Sequence, residues 1–268
     1  MSEQSQPVAS PIRRVVVALD ASPCSRMVLR TAARIAAGLG AQLEGLFVED
    51  DRLLALADLP IAAELRQPGG VRPFDRALVE RELRVVAQTV EKWAGPIVRA
   101  YDIVWRFRVV RGNIAQSLME AAGEDTLLSL GRYGNPLCLR PDRLGSVAQR
   151  VLGEHRMPLL LLHQEMRVGQ PVLVTTSGRA EELPLVAMAV RLSQVYASPL
   201  LVLTENDEAR QFLAAALTDN PQPVTFHTLG SGDLAEQILI LSQSRGGLVL
   251  SHRREPALAR LECGLILL

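Results

Sequence analysis

The chain has 268 residues, of which 48% are hydrophobic and 22% are charged, a composition that suits a buried core and excludes extensive disorder. Its 29 basic and 29 acidic residues give a net charge of zero. No global attraction to nucleic acid or to an anionic membrane is therefore expected, and any anion-binding site must be local.

Targeting and cofactor signals are sparse along the chain. The start, MSEQSQPVASPIRR, has no apolar run typical of a signal peptide, and no uncharged segment approaches the ~20 residues needed to span a bilayer. The three cysteines, Cys24, Cys138 and Cys263, fit neither a disulfide framework nor a zinc motif. These features predict a cytoplasmic protein with reduced thiols, no membrane association and no metal site of its own.

The first half begins with a strand–helix–strand pattern. Residues 1–12 are polar and are predicted to form a flexible tail, and RRVVVALD (13–20) is predicted to be a strand buried on both faces of a parallel sheet. Ser22-Pro23 combines a favoured N-cap with proline at the first helical position, and the helix that follows ends at Gly40. AQLEGLFVE (41–49) is predicted to be the second strand.

The rest of the first half continues this alternation after an insert at 50–95. Its apolar patch, Leu53–Leu65, is interpreted either as a short helix covering the sheet edge or as a lid or partner surface. Apolar residues spaced by three and four predict a long amphipathic helix over 79–93. The remaining predicted elements are strands at 103–112, 126–131 and 157–163 and helices at 114–122 and 146–153.

The second half repeats this plan. Residues 170–205 reproduce the pattern of 13–49, and 224–253 mirror 104–132. GLILL, at 264–268, takes the place of the fifth strand.

The repeat predicts two domains, 13–165 and 170–268. Strand–helix–strand units imply parallel neighbours joined by right-handed crossovers. We therefore predict an α/β fold of two tandem open, doubly wound parallel sheets, each with strand order 3-2-1-4-5. Ligands of such sheets bind beyond the carboxyl ends of the strands, where the strand order reverses.

Two segments of the first domain are predicted to meet at that position. Asp20 ends the first strand and Gly131 ends the fourth, while Val48 ends the second and is expected to form an apolar wall. A carboxylate repels phosphates, so Asp20 is expected to accept hydrogen bonds from the amine or hydroxyls of an adenosine. The alternative is that Asp20 only stabilises the turn before Ser22.

The loop LGRYGNPLCLRPDRLGS (130–146) is the candidate phosphate site. At Gly131 and Gly134 no Cβ blocks the approach of a phosphate to the backbone, and Gly145-Ser146 opens a helix whose N–H groups and dipole attract anions. Positive charge is available from Arg132, Arg140 and Arg143. The alternatives are turn glycines, an ordinary Ser146 N-cap and solvated surface arginines. The Walker motif GxxxxGK[ST] is absent from the sequence.

Several of these segments together resemble the universal stress protein family. They are VVVALDASPCS, GLFVE, VVRGNIAQSLMEAA and, above all, DTLLSLGRYG…LGSVAQRVLGEHRMPLLLL. ATP-binding members of that family carry Gly-x2-Gly-x9-Gly followed by Ser or Thr. Gly131, Gly134, Gly145 and Ser146 fit this motif, although ten residues separate the second and third glycines here.

The resemblance is weaker in the second half. Ser177 stands where Asp20 would be, His252 replaces the first glycine and Glu255 the second. The second half is therefore expected to bind no nucleotide. The resemblance also implies that the halves pack as an intramolecular pseudo-dimer through their fifth strands, 158–162 and 264–268, with a further homodimer as an option.

The resemblance implies a stress-response protein whose N-terminal domain binds ATP or another adenine nucleotide, with Mg²⁺ only as its companion. Such a protein would act as a sensor or regulator toward an unidentified protein partner, with little or no hydrolysis, at most that of a weak ATPase. One alternative is a nucleotide-free interaction or scaffold protein of the same fold. Another is an ATP-cleaving transferase, against which the absence of an evident catalytic set counts.

Overall fold

A computed structural model describes most of the chain: residues 12–59, 63–66, 70–73, 75–133, 144–154, 157–166, 168–218, 220–230, 234–243, 247–252, 258 and 263–268. In the first half the strands are β1 (Arg14–Ala18), β2 (Gln42–Asp50), β3 (Ala63–Arg66), β4 (Gly70–Pro73), β5 (Trp105–Gly112), β6 (Thr126–Gly131) and β7 (Leu159–Leu162). The helices there are α1 (Pro23–Leu39), α2 (Asp51–Ala57), α3 (Arg76–Arg99), α4 (Ile114–Ala121) and α5 (Ser146–Glu154).

The second half is built from similar elements without the insert. Its strands are β8 (Val172–Thr176), β9 (Leu200–Thr204), β10 (Val224–Thr228), β11 (Leu248–Ser251) and β12 (Gly264–Leu267). Its helices are α6 (Leu183–Val195), α7 (Asp207–Ala216) and α8 (Leu234–Gln243), with a short 3-10 helix at Ala180–Glu182 before α6. Within the described ranges, no helix combines the length and the apolar character that a membrane span requires.

One ten-stranded sheet joins the two halves. Its order is β10-β9-β8-β11-β12-β7-β6-β1-β2-β5, which is 3-2-1-4-5 in each half and confirms the predicted fold class. Within this sheet the strands of each half are parallel, and the halves meet where β12 pairs with β7 in antiparallel fashion. The fifth strands therefore lie side by side, as the resemblance implied.

Buried side chains cover both faces of the sheet. On one face, residues of α1, α3, α6 and α7 pack in a core that runs through both halves. On the other face, α4, α5 and α8 do the same. The strands next to the junction are apolar on both sides, which explains why their sequences are continuous apolar runs.

The insert and the region after β9 contain elements that the sequence pattern did not define. The apolar patch at 53–65 contains most of α2, a seven-residue helix, and the start of β3, which forms a small antiparallel hairpin with β4. Helix α7 was not predicted, although Asn206 caps it by accepting a hydrogen bond from the backbone N–H of Ala209. Its buried residues, Ala209 and Leu213, are spaced by four and face the sheet as those of an amphipathic helix do.

Helices α1 and α6 contact each other closely across the junction. A Cβ added to Gly38 of α1 would lie 2.3 Å from Cγ2 of Val195, which is too short for two non-bonded carbon atoms. The side chain of Arg191 also donates from Nε to the carbonyl oxygen of Gly38. Only glycine permits this approach of the two halves.

We expect Gly38→Ala to lower the free energy of unfolding by roughly 1–3 kcal/mol, because the stiff Val195 side chain cannot move away easily. Gly95→Ala is the matched control, since Gly95 is also helical and its added Cβ would meet only Arg99 Nη1 at 3.6 Å. That control should gain up to about 1 kcal/mol from helix propensity. Urea denaturation measures both changes, and a Gly38→Ala protein as stable as the control would contradict this packing.

Tyr196, at the end of α6, lies in the shared core of the two halves. It is fully buried, its hydroxyl has no hydrogen-bond partner among the described residues, and the guanidinium of Arg34 lies 4.9 Å from its ring centroid. Burial raises the pKa of the Tyr196 hydroxyl, with a smaller opposing effect from Arg34. The folded state therefore favours the neutral phenol of Tyr196 over the phenolate.

Tyr196→Phe should be at least as stable as the wild type at pH 7, by about 0–2 kcal/mol, because it removes an unsatisfied buried hydroxyl. An unfolded tyrosine ionises near pH 10 and the folded Tyr196 at higher pH, so the wild type should lose stability relative to this variant as the pH rises above about 10. Urea denaturation of both proteins at about pH 7 and pH 10.5 gives the comparison. A clear loss of stability in the variant at pH 7 would show that the hydroxyl has a stabilising partner.

Candidate functional site

The carboxyl ends of β1 and β6 border a deep cavity. These strands are parallel neighbours, and β2 lies on the other side of β1. The cavity has a volume of about 770 Å³, within the range of small-molecule sites. Its wall contains Asp20, Val48, Gly131, Gly145 and Ser146, so the structure brings five of the predicted site residues together.

Asp20 lines the cavity while it also organises the turn between β1 and α1. Its Oδ1 accepts hydrogen bonds from the backbone N–H of Ser22 (2.9 Å) and from the hydroxyl of Ser25. Its own backbone N–H donates to Ser25 Oγ at 2.9 Å. The turn-stabilising role of Asp20 is therefore observed, and it fixes the carboxylate of this exposed residue at the cavity wall.

The opposite side of the cavity is formed by the end of β6 and the start of α5. The backbone N–H of Gly145 donates to the carbonyl oxygen of Arg132 at 2.9 Å, which ties the beginning of α5 to the end of β6. Ser146, Val147 and Ala148, the first residues of α5, line the cavity. The first N–H groups of a helix have no intrahelical acceptor, so this end can receive an anion.

Gly131 is needed for space at this end of the cavity. A Cβ at this position would lie 3.2 Å from the carbonyl oxygen of Tyr133 and 3.5 Å from Val28 Cγ2. Tyr133 and Val28 are themselves part of the cavity wall. A larger side chain at Gly131 would therefore project into the cavity.

Arg132 is placed differently from the other predicted residues. It is 6% exposed, its guanidinium lies 5.6 Å from the ring centroid of Tyr133, and it is absent from the described wall of the cavity. Arg132 is the first residue after β6, and its backbone N–H donates to the carbonyl oxygen of Leu162 at 2.8 Å. The predicted contact of Arg132 with a phosphate stays a prediction. Gly134, Arg140 and Arg143 lie outside the described residues.

Much of the wall comes from residues that the sequence analysis did not select. Tyr133 adds an aromatic ring, which meets His163 edge to face at 5.4 Å. The other unselected wall residues include apolar side chains of three helices: Leu53, Leu83, Val86, Ile114 and Leu118. The amphipathic periodicity of α3 and α4 showed that these helices bury one face, but not that part of that face borders a cavity.

The corresponding position of the second half is nearly closed. Thr175, Thr176, Ser177 and His252 border a hollow of only about 10 Å³. The carboxylate of Glu182 fills this position, accepting hydrogen bonds from Thr176 Oγ1 (2.8 Å), the backbone N–H of Ser177 (2.6 Å) and Ser177 Oγ (3.0 Å). The sequence comparison selected His252 and Glu255 as obstacles; it missed Glu182, and Glu255 lies outside the described residues.

The chain belongs to the universal stress protein family, because the sequence model of that family matches residues 11–163, more than half of its length. Among solved structures, a universal stress protein from Archaeoglobus fulgidus is 13% identical, with a TM-score of 0.66 and coverage of 97% of this chain and 98% of that one. A functionally unknown protein from Pseudomonas aeruginosa is 15% identical, with a TM-score of 0.59 and coverage of 96% and 92%.

A third solved structure, a universal stress protein in complex with cAMP, is 22% identical and covers 58% of this chain and 100% of its own, with a TM-score of 0.41. A comparison with curated proteins finds no match. The two longer structural relatives share the fold over nearly the whole chain, including both halves of the sheet.

Glu182 gives the second half a pH-dependent contribution to stability. Partial burial by itself would raise the pKa of Glu182, but the hydrogen bonds from Thr176 and Ser177 and the nearby His252 outweigh it and lower that pKa. A lowered pKa means that the folded state favours the carboxylate. The stabilisation is therefore complete above the ordinary glutamate pKa of 4.5 and is lost as the pH falls through the lowered value.

Glu182→Gln should reduce the free energy of unfolding by about 1–2 kcal/mol at pH 7, a figure discounted for the partial exposure of the site. The difference from the wild type should shrink as the pH falls below 4.5. The neighbouring and exposed Glu181 supplies the control variant Glu181→Gln, which should have little effect at either pH. Urea denaturation at both pH values measures the changes, and equal losses in both variants would indicate a general charge effect instead of the three hydrogen bonds.

Proposed function

We propose that the N-terminal half binds an adenine nucleotide, with ATP as the first candidate, and that the protein acts as a non-catalytic sensor or regulator in a stress response. The observation that carries this proposal is the convergence of Asp20, Gly131 and the start of α5 on one cavity. A carboxylate and a helix N-terminus on opposite walls suit a ligand with a hydrogen-bond donor at one end and an anion at the other.

The nucleoside is assigned to the side of Asp20 and Val48. Asp20 keeps acceptor capacity for a ribose hydroxyl or an adenine amine, since its hydrogen bonds to Ser22 and Ser25 both use Oδ1. Val48 and Phe47 supply apolar surface to the cavity, which suits the faces of a base. Mg²⁺, when present, would enter with the phosphates of the nucleotide.

The phosphates are assigned to the side of Gly131 and α5. The N–H groups at the start of α5 and the helix dipole provide local positive potential on a chain of zero net charge. Gly131 keeps the approach to the backbone open, because a side chain there would compete with the ligand for space.

The titratable groups of the described wall favour binding over hydrolysis. Its two carboxylates, Asp20 and Asp50, both serve as local caps: Asp20 bonds to the turn before α1, and Asp50 Oδ1 accepts from the N–H of Arg52 at 3.0 Å. Each carboxylate is held in its cap through Oδ1, and the described wall has no histidine or lysine that could serve as a general base beside it. We therefore assign the ligand a regulatory role, in which its occupancy changes the surface near the cavity.

A second candidate is a nucleotide-free interaction protein of the same fold, and one observation favours it. Leu56 and Leu59, in α2 and just beyond it, are 49% and 50% exposed and present apolar surface beside the cavity. Apolar side chains exposed together often mark a partner site. Mass spectrometry of the small molecules that co-purify with the protein separates the two candidates.

We expect the wild type to bind ATP with about one molecule per chain, because the cavity of the first half is open and the corresponding place in the second half is nearly closed. Gly131→Glu should abolish binding, since it adds bulk and negative charge where the phosphates are assigned. Gly153→Glu is the control, because Gly153 lies on α5 with open space around it. Isothermal titration calorimetry measures all three proteins, and negligible signals from all of them would refute nucleotide binding.

A further inference from the structure

One end of the cavity is lined by apolar side chains of α2 and α3. Leu53 of α2 and Leu83 and Val86 of α3 line it. Along the described wall the only charged side chains are the two carboxylates Asp20 and Asp50. Asp50 caps α2 next to this end, so a second anionic group is disfavoured there, whereas a neutral apolar group can pack against Leu53, Leu83 and Val86.

The strand order shows which part of the ligand would face this end. At the carboxyl ends of the strands, the order across the sheet is β6, β1, β2. The assigned phosphate position is at the end of β6, Asp20 follows β1, and Val48 lies in β2. Helix α2 starts directly after β2, at Asp51, and packs against α3. The apolar end thus lies beyond the base, on the side away from the phosphates.

In an adenine nucleotide, the exocyclic amine lies on the part of the base remote from the ribose. We propose that the cavity is selective for adenine nucleosides or nucleotides that carry an apolar substituent on this amine, with the substituent held against Leu53, Leu83 and Val86. This inference rests on the proposed function and extends it by defining the ligand class. The volume of about 770 Å³ accommodates a group of this kind beside the nucleotide.

The direct test compares the binding of AMP and N6-benzyl-AMP to the full chain by isothermal titration calorimetry. N6-benzyl-AMP should bind at least about tenfold more tightly, since its phenyl ring buries apolar surface that AMP lacks. Equal or weaker binding of N6-benzyl-AMP would overturn the inference.

Two leucines of α2 form a matched pair of variants. Leu53 lines the cavity and is 39% exposed, whereas Leu56 is 49% exposed on the same helix and is not part of the described wall. Leu53→Ser should remove most of the preference for N6-benzyl-AMP over AMP. Leu56→Ser should keep the preference, and an equal loss in both variants would contradict the assigned position.

Helix α3 provides an independent pair with smaller changes of shape. Val86→Thr introduces a hydroxyl into the cavity wall, and Val85→Thr introduces the same group at a neighbouring residue that is 54% exposed. Val86→Thr should reduce the preference several-fold while Val85→Thr leaves it intact. Thermal unfolding of each variant verifies the fold, so a loss of binding is not confused with a loss of structure.

The outcomes distinguish this inference from the proposed function. If AMP binds and the benzyl group adds nothing, the ligand class is wrong and nucleotide binding stands. If neither compound binds, both proposals fail. If N6-benzyl-AMP binds more tightly but the preference survives in Leu53→Ser and in Val86→Thr, the substituent lies elsewhere and the inference is overturned.

Discussion

The position of β1 between β2 and β6 is the constraint on which the candidate site depends. Strand β1 pairs with both β2 and β6. The chain continues from β2 to α3, which packs with α1 on one face of the sheet, and from β6 to α5, which packs with α4 on the other face. The connections diverge at this point and leave a crevice above the strand ends. Asp20 and Gly131 border it, although they lie far apart in the sequence.

The two halves show how one topology can keep or lose a cavity. Both have the order 3-2-1-4-5, yet the first encloses about 770 Å³ and the second about 10 Å³ at the corresponding place. In the second half the side chain of Glu182 uses the hydrogen-bond donors of Thr176 and Ser177. A ligand would have to displace this carboxylate, which is already well bonded. The described residues of the second half complete the shared core and the continuous sheet.

Much of the fold could be predicted from the sequence, because its strands are buried on both faces and appear as uninterrupted apolar runs. Gly131 follows such a run, and from this position the glycine loop was predicted to lie beyond the carboxyl ends of the strands. The apolar end of the cavity could not be predicted in this way. Whether Leu53 or Val86 borders a cavity depends on how α2 and α3 pack, and periodicity only shows which face of a helix is buried.

Glu182 and Arg132 were also beyond prediction, for different reasons. Glu182 turns back from the start of α6 toward Thr176, and nothing in a motif indicates that direction. Arg132 follows a glycine of the candidate loop and was selected for its charge, but it is buried, and its guanidinium lies near the ring of Tyr133. Residue type alone indicates neither direction.

Both halves belong to one chain, so their one-to-one proportion is fixed at synthesis, and β7 pairs with β12 in antiparallel fashion. A dimer of separate subunits joined through such strands would dissociate on dilution, whereas here the partner edge is covalently tethered and always present at high effective concentration. A continuous sheet with a cavity open in one lobe and filled in the other is an asymmetry that a symmetric assembly of identical subunits does not produce.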